Sequence, residues 1–206
     1  MIIQMMGPQA CGKGTQAELL SKALQLPIVS LGDLLRNIPK DFPQYTQVEK
    51  QMKAGELVDF EITANVIKHA ISKPIYKHGY ILDGWGRILE QYKFFDPLPD
   101  IVIFINIPRE ESLRRISGRR ICESTGEVVN IYTLSPEEVS KCAGPLVQRE
   151  DDTPDAINRR LDIFENDTMP VVKKYRTQGN LIEVSGLGTP EEVFGRILKA
   201  LELFGK

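Results

Sequence analysis

The chain reads as an α/β protein, a parallel sheet with helices on both faces. Short apolar runs rich in β-branched residues recur at Ile2–Met6, Ile28–Val29, Tyr80–Leu82, Ile101–Ile107 and Leu181–Val184, and stretches of helical spacing separate them. Such alternation is the signature of crossover units covering a buried sheet. At 206 residues the chain suits one main core with appendages, not two full-sized catalytic domains.

Taken in order, the first run leads through a Gly/Pro loop into Thr15–Leu24, where Ala17, Leu19, Leu20, Ala23 and Leu24 share a helical face. Residues 30–59 look helical but polar, with breakers at Pro39, Pro43 and Gly55, and they interrupt the alternation before a helix over Glu61–Ser72. Residues 121–148 interrupt it again, with turn signals at Ser124-Thr125-Gly126, Ser135-Pro136 and Ala143-Gly144-Pro145, between two arginine-bearing helices. Insertions of that size in a compact chain usually serve function.

Charge and composition exclude several classes. With 26 Lys+Arg against 28 Asp+Glu, the net charge is -2, so no global basic excess exists to drive nucleic-acid binding. Anionic ligands must be met by local clusters. No run approaches the roughly 20 apolar residues that span a bilayer, and Met1–Met6 has the character of a core strand and lacks that of an export signal. Three cysteines are too few and too odd for a disulfide framework, which points to a reducing, cytoplasmic setting in which disulfides are not expected.

The chemistry begins at Gly7-Pro8-Gln9-Ala10-Cys11-Gly12-Lys13-Gly14-Thr15, after a strand and before a helix. Glycines there let backbone N–H groups approach phosphate oxygens, the helix N-terminus adds positive potential, Lys13 reaches outer phosphates and Thr15 faces a metal ion. Gly14 separates the lysine from the hydroxyl residue, one place off the generic motif. The bland reading is a glycine-rich turn with an incidental lysine. Cys11 reads as a small spacer; the only histidines, His69 and His78, are remote from it in sequence, which removes Cys-His and Ser-His hydrolase readings.

Four ordered segments, Gly12-Lys13-Gly14-Thr15-Gln16-Ala17, Ser30-Leu31-Gly32-Asp33-Leu34-Leu35-Arg36, Leu82-Asp83-Gly84-Trp85-Gly86-Arg87 and Ser117-Gly118-Arg119-Arg120, resemble the nucleoside monophosphate kinases, with long-lid adenylate kinases the nearest match. The resemblance covers essentially the whole chain. It implies a P-loop core with a five-stranded parallel sheet (residues 1–29, 60–119 and 150–206), an acceptor-nucleotide domain (30–59) and a lid (120–149). It implies Mg²⁺-dependent phosphoryl transfer from ATP to AMP by a chain that is monomeric by default. Ala10, Cys11, Gly12, Lys13, Gly14, Thr15, Arg115, Arg119, Val128 and Val129 would meet ATP. Leu31, Arg36, Glu56, Leu57, Val58, Gly84, Trp85, Gly86, Arg87, Gln91, Arg149 and Arg160 would meet AMP. Within these sets, Arg36 and Arg87 would hold the acceptor phosphate, Arg119, Arg149 and Arg160 the transferring group, and Arg115 would stack on the donor base. Asp83 would orient water on Mg²⁺, although a strand-end carboxylate capping the next loop is the competing view. Arg109, Arg114, Arg120 and Arg159 read as ordinary helix charges or partners of Glu110, Glu111, Asp151 and Asp152; Asp151 and Asp152 themselves read equally as a lid latch or as solvated carboxylates.

The chain departs from the family's habit in places. Gln9-Ala10 stands where Pro-Gly is usual, so Ala10 must adopt a glycine-like backbone or shift the loop. Gly86 stands where a proline usually constrains the following arginine, which suggests a looser Arg87. Leu31 replaces a threonine that hydrogen-bonds adenine, whereas Gln91 matches the glutamine that reads it, and Val129 replaces a frequent tyrosine. Cys122 and Cys142 fall at the first and fourth places of a lid zinc site, with Thr125 and Val139 between, so zinc is not expected. Two rivals stay open: a kinase of another or broader acceptor (CMP, UMP or GMP), and a non-catalytic nucleotide-binding protein.

Overall fold

The computed structural model describes residues 1–132 and 142–204; Ser135-Pro136 and Val139 lie outside them. Strand β1 (Ile2–Met6) leads to α1 (Lys13–Leu24), β2 (Ile28–Ser30), α2 (Leu31–Arg36), α3 (Tyr45–Lys53), α4 (Phe60–Ile71), β3 (Tyr80–Asp83), β4 (Ile101–Asn106) and α5 (Arg109–Gly118). After β5 (Arg119–Cys122), β6 (Val128–Asn130) and β7 (Leu146–Val147) come α6 (Pro154–Ile163), a π-turn at Phe164–Thr168, α7 (Met169–Gln178), β8 (Leu181–Ser185) and α8 (Pro190–Phe204).

Five strands form one sheet in the order β2-β3-β1-β4-β8, each pair parallel. All five strands expected from the apolar runs are in it. β1 lies at the centre, and its alternation sends Ile3 and Met5 into one layer with Leu20, Ile103 and Ile197, and Met6 into the other with Phe104, Val172 and Tyr175. A third apolar cluster joins Val29, Leu31 and Leu82 to Val48 and Ile67, tying α3 and α4 to the sheet edge. None of the described helices is long and apolar enough to cross a membrane.

Local chemistry sets the helix starts. Asp59 accepts the N–H groups of Glu61 (2.9 Å) and Ile62 (3.0 Å), Thr153 that of Ala156 (3.3 Å), and Ser30 that of Asp33 (3.3 Å). Helix α1 begins two residues before the apolar spacing does, because Gly12, at φ 96°, turns its carbonyl onto the Gln16 N–H (2.9 Å).

The second insertion holds a small antiparallel sheet in the order β6-β5-β7, with Ile121 between Val128 and Val147. The expectation of no disulfide is corrected here: Cys122 and Cys142 are bonded, with Cα atoms 5.8 Å apart. Counting cysteines missed it because their proximity comes from this pairing, which sets Cys122 beside Leu146. Cys11 stays free and buried.

Candidate active site

Everything of chemical interest gathers at the carboxyl ends of the parallel strands, where open α/β sheets bind ligands. The loop after β1 wraps tightly: at Gly7 a side-chain carbon would lie 2.4 Å from the Ile105 carbonyl oxygen and 2.6 Å from the Cys11 sulfur. Ala10 takes the glycine-like alternative, at φ 56°, and its methyl packs against Ile116, Ile157 and Leu161. The Lys13 ammonium is tethered to its own loop by the carbonyls of Gly7 (2.7 Å) and Pro8 (2.8 Å). Cys11 is the small spacer anticipated; burial pushes its thiol above the ordinary range despite Lys13 nearby, so it is a poor nucleophile. Thr15 is exposed one turn into the helix.

Asp83 ends β3 behind this loop. Burial pushes its carboxyl above the usual range, opposed by Lys13 and Arg87, and its Oδ1 is sealed from water with no hydrogen bond in the structure. Among the described residues it makes no side-chain hydrogen bond to the following loop. An orphaned carboxylate oxygen beside a lysine and an arginine is a prepared acceptor.

Five arginines converge opposite. Arg119 grips Asp152 through Nε (2.8 Å) and a terminal nitrogen, and the Asp152 side chain is wholly buried. Arg160 pairs with Asp151 (2.5 Å), reaches the Met52 carbonyl (3.1 Å) and lies 3.7 Å from Asp152. Arg149 has a sealed Nε with no partner among the described residues; burial, then Arg119 and Arg36, pull its guanidinium down to about 10. Arg87 is lowered by burial and then by Arg160, and no hydrogen bond to its guanidinium is present among the described residues. Arg36 pairs with Asp33 at 2.5 Å on the rim. Asp151 and Asp152 are therefore counter-ions of Arg160 and Arg119 rather than solvated carboxylates; burial opposes the charge of Asp151, yet Arg160 holds its carboxyl below the usual range.

Of the four arginines read as ordinary charges, Arg114 alone pairs, among the described residues, with a carboxylate named for that role, and the other three have different partners. Arg109 pairs with Glu165 and Asp162 (2.9 Å each), Arg114 with Glu111 (2.7 Å) and Arg159 with Glu56 (2.7 Å), while Arg120 donates to the backbone of Ser117 and Arg119. Arg115 is bound to Glu111 (2.6 Å) and to the Gly186 carbonyl (2.9 Å), beside the β5-β6 hairpin that carries Val128 and Val129. On the other flank Leu31 and Val58 are buried in the α3-α4 cluster, the Leu57 carbonyl accepts from Gln51 (3.3 Å), and Gly84 sits against Leu31.

The first insertion is in contact with α6: a side-chain carbon at Gly55 would lie 2.7 Å from the Cα of Ala156, and Lys53 reaches Glu150 (3.1 Å). The first insertion thus packs beside the arginine cluster.

Comparison with known proteins bears on the family of the whole chain. The family model described as adenylate kinase matches residues 5–180. Curated relatives named adenylate kinase come from Clostridium perfringens (35% identical over 212 residues, 98% of each chain), Clostridium botulinum (34%, 98% of each) and Rickettsia africae (33% over 211 residues, 98% of this chain and 100% of the relative). The chain belongs to the adenylate kinase family.

Against that family pattern, the turn at Trp85-Gly86-Arg87 is the place where this chain differs most instructively. Gly86, at φ 72°, is hemmed in, since a side-chain carbon there would lie 2.0 Å from the Tyr92 hydroxyl. Gln91 is buried and spends its Oε1 on the Arg87 N–H (2.7 Å) and, at 3.4 Å, that of Ile88. The contribution of Gln4 and Tyr92 to this turn was not foreseen from the motifs. The available signal was a lone amide inside the apolar run Ile2-Ile3-Gln4-Met5-Met6.

Proposed function

We propose that the chain catalyses reversible transfer of the terminal phosphoryl group from Mg·ATP to AMP, giving two ADP, and so serves nucleotide homeostasis and salvage. What carries the reading is the cationic recess itself: Arg36, Arg87, Arg119, Arg149 and Arg160 face one space with Asp33, Asp83, Asp151 and Asp152, and Arg149 keeps an Nε with no partner among the described residues. Buried like charges are tolerated where a polyanion completes them. Two nucleotides meeting by their phosphates supply such an anion, and guanidinium forks match its oxygens bidentately.

In this reading the loop amides from Ala10 to Thr15 and Lys13 hold the donor phosphates. Arg115, Val128 and Val129 border the donor base. Arg36 and Arg87 hold the acceptor phosphate, Arg119, Arg149 and Arg160 follow the group in flight, and Leu31, Glu56, Leu57, Val58, Gly84, Trp85, Gly86 and Gln91 line the acceptor. The acceptor is already an anion, so no general base is needed; positioning and charge stabilisation do the work. Residues 120–149 act as a lid that excludes water from the transfer. The residues suit Mg²⁺, because the exposed Thr15 hydroxyl is a hard oxygen ligand and the Asp83 carboxylate, beside Lys13, would orient water on the ion. When bound, the ion neutralises charge on the donor phosphates. All five arginines come from one chain, which supports action as a monomer, and the cytoplasm is the setting proposed.

An acceptor panel tests the reading. AMP, GMP, CMP and UMP are each offered with Mg·ATP and ADP formation is followed, with Lys13→Ala as control. AMP should be turned over fastest. Greater turnover of CMP would move the assignment to another acceptor, an outcome that the apolar Leu31 would then explain. Binding of ATP without turnover above the control would leave a non-catalytic nucleotide binder.

A further inference from the structure

Gly86 occupies a site where the backbone has no ring to stiffen it, yet both peptide groups around it are fastened from inside the protein. The Gln4 side chain, fully buried at the centre of the sheet, donates from Nε2 to the Trp85 carbonyl (3.1 Å) and to the Tyr92 hydroxyl (3.0 Å). Its Oε1 accepts from the Tyr175 hydroxyl (3.4 Å). Trp85 is itself buried, its indole N–H donating to the Phe95 carbonyl (3.2 Å), and Gln91 holds the Arg87 N–H from the other side. A side-chain carbon on residue 86 would meet Tyr92 Oη at 2.0 Å and Gln4 Nε2 at 2.8 Å, so glycine and this network require one another.

We propose that Gln4 and Tyr92 are positioning residues for Arg87: they fix the Trp85-Gly86-Arg87 turn from beneath and thereby set the affinity of the acceptor monophosphate, while leaving the donor site alone. The reasoning is geometric. The Arg87 guanidinium makes no hydrogen bond among the described residues, so its direction depends on where its backbone starts. That start is set by two buried amides, Gln4 below and Gln91 beside. The donor loop hangs from the end of the same strand as Gln4, but no hydrogen bond links the Gln4 side chain to Gly7–Thr15. The hydroxyls of Tyr92 and Tyr175 remain protonated at any working pH, since burial pushes the first up to about 12 and the second higher, so the network is a fixed one. Lys174 lies 4.3 Å above the Tyr92 ring and closes it from outside.

The proposal rests on the phosphotransferase reading, and the test separates the two. Gln4→Leu and Tyr92→Phe are compared with wild type for KM of AMP, KM of Mg·ATP and kcat. AMP binding is read independently from the fluorescence of Trp85, the single tryptophan. Wild type without turnover defeats the reading of function, while the AMP titration still judges the turn. Expected is an acceptor KM and AMP Kd raised about tenfold in Gln4→Leu and about threefold in Tyr92→Phe, with donor KM and kcat within about twofold. Should Gln4→Leu fail to fold, Tyr92→Phe carries the same test, because it keeps the ring and removes only the hydroxyl. Acceptor affinity unchanged, or donor and acceptor affinities falling together, overturns the proposal.

Discussion

Arg119 holds Asp152 with two nitrogens, and the carboxylate is closed to solvent on every side. The pair lies where the second insertion rejoins the core, with Arg160 3.7 Å from the same carboxylate. Removing Asp152 would leave two guanidinium groups, with Arg149 beside them, short of their counter-ion. Asp152→Ala should therefore destabilise the chain by about 3 kcal/mol or more in urea unfolding. A bisubstrate dinucleotide polyphosphate should raise the Tm of this variant more than that of wild type, since its phosphates replace the lost charge. Equal Tm shifts in the two proteins would show that Asp152 and ligand do not share partners.

Asp83 pulls stability and activity in opposite directions. Its buried Oδ1 has no hydrogen bond, and burial disfavours its charge. Asp83→Asn keeps the shape and removes the charge, so the variant should unfold about 1 kcal/mol later at neutral pH. If Asp83 acts on the donor side as proposed, turnover should fall at least about a hundredfold. Chemical denaturation alongside a steady-state assay checks both; a variant that is active at wild-type rate would return Asp83 to a purely structural role.

The Glu111 carboxylate ties Arg114 and Arg115 together on α5 and is lowered to about 2, first by its hydrogen bond to Arg114 and then, against some desolvation, by Arg115. A depressed carboxylate contributes stability that is complete above its unfolded value of 4.5 and is lost as pH falls through about 2. Solvent screens the arrangement, so Glu111→Gln should cost about 1 kcal/mol at pH 7. The gap between variant and wild type should narrow steadily from about pH 4.5 downward. A gap that is constant with pH would mean that the substitution acts through packing instead.

The sheet was legible because its strands are short apolar runs rich in β-branched residues, the pattern that parallel strands covered by helices present. The arginines were legible because a weakly acidic chain has little reason to cluster them. What escaped was whatever depends on partners distant in sequence. The role of Gln4 needs Trp85 and Tyr92 folded above it; the pairing of Cys122 with Cys142 needs β5 and β7 side by side; Asp151 and Asp152 could be told from solvated carboxylates only once Arg160 and Arg119 faced them. Gln91 shows the same limit from the other side: the motif marked it as a base reader, yet half of its amide is engaged by the backbone of Arg87.

Ala10 tests how far the phosphate loop tolerates its unusual sequence. The residue sits at φ 56°, a region that costs a non-glycine residue about 1 kcal/mol, and its methyl recovers part of this against Ile116, Ile157 and Leu161. Those two effects nearly cancel. Ala10→Gly should therefore leave Tm within about 2 °C and kcat within about twofold of wild type. Ala10→Val adds a β-branched side chain at positive φ, for which the left-handed region is closed, and the loop must move to accept it. Because the amides from Ala10 to Thr15 and the Lys13 tether belong to that loop, the displacement should raise the KM for Mg·ATP about tenfold or more while the AMP Kd stays within about twofold. Steady-state titration of each nucleotide gives the answer. If Ala10→Gly proved several-fold faster than wild type, the alanine would be a brake on the reaction; if Ala10→Val left the donor KM unchanged, the loop would owe its shape to Gly7 and Gly12 alone.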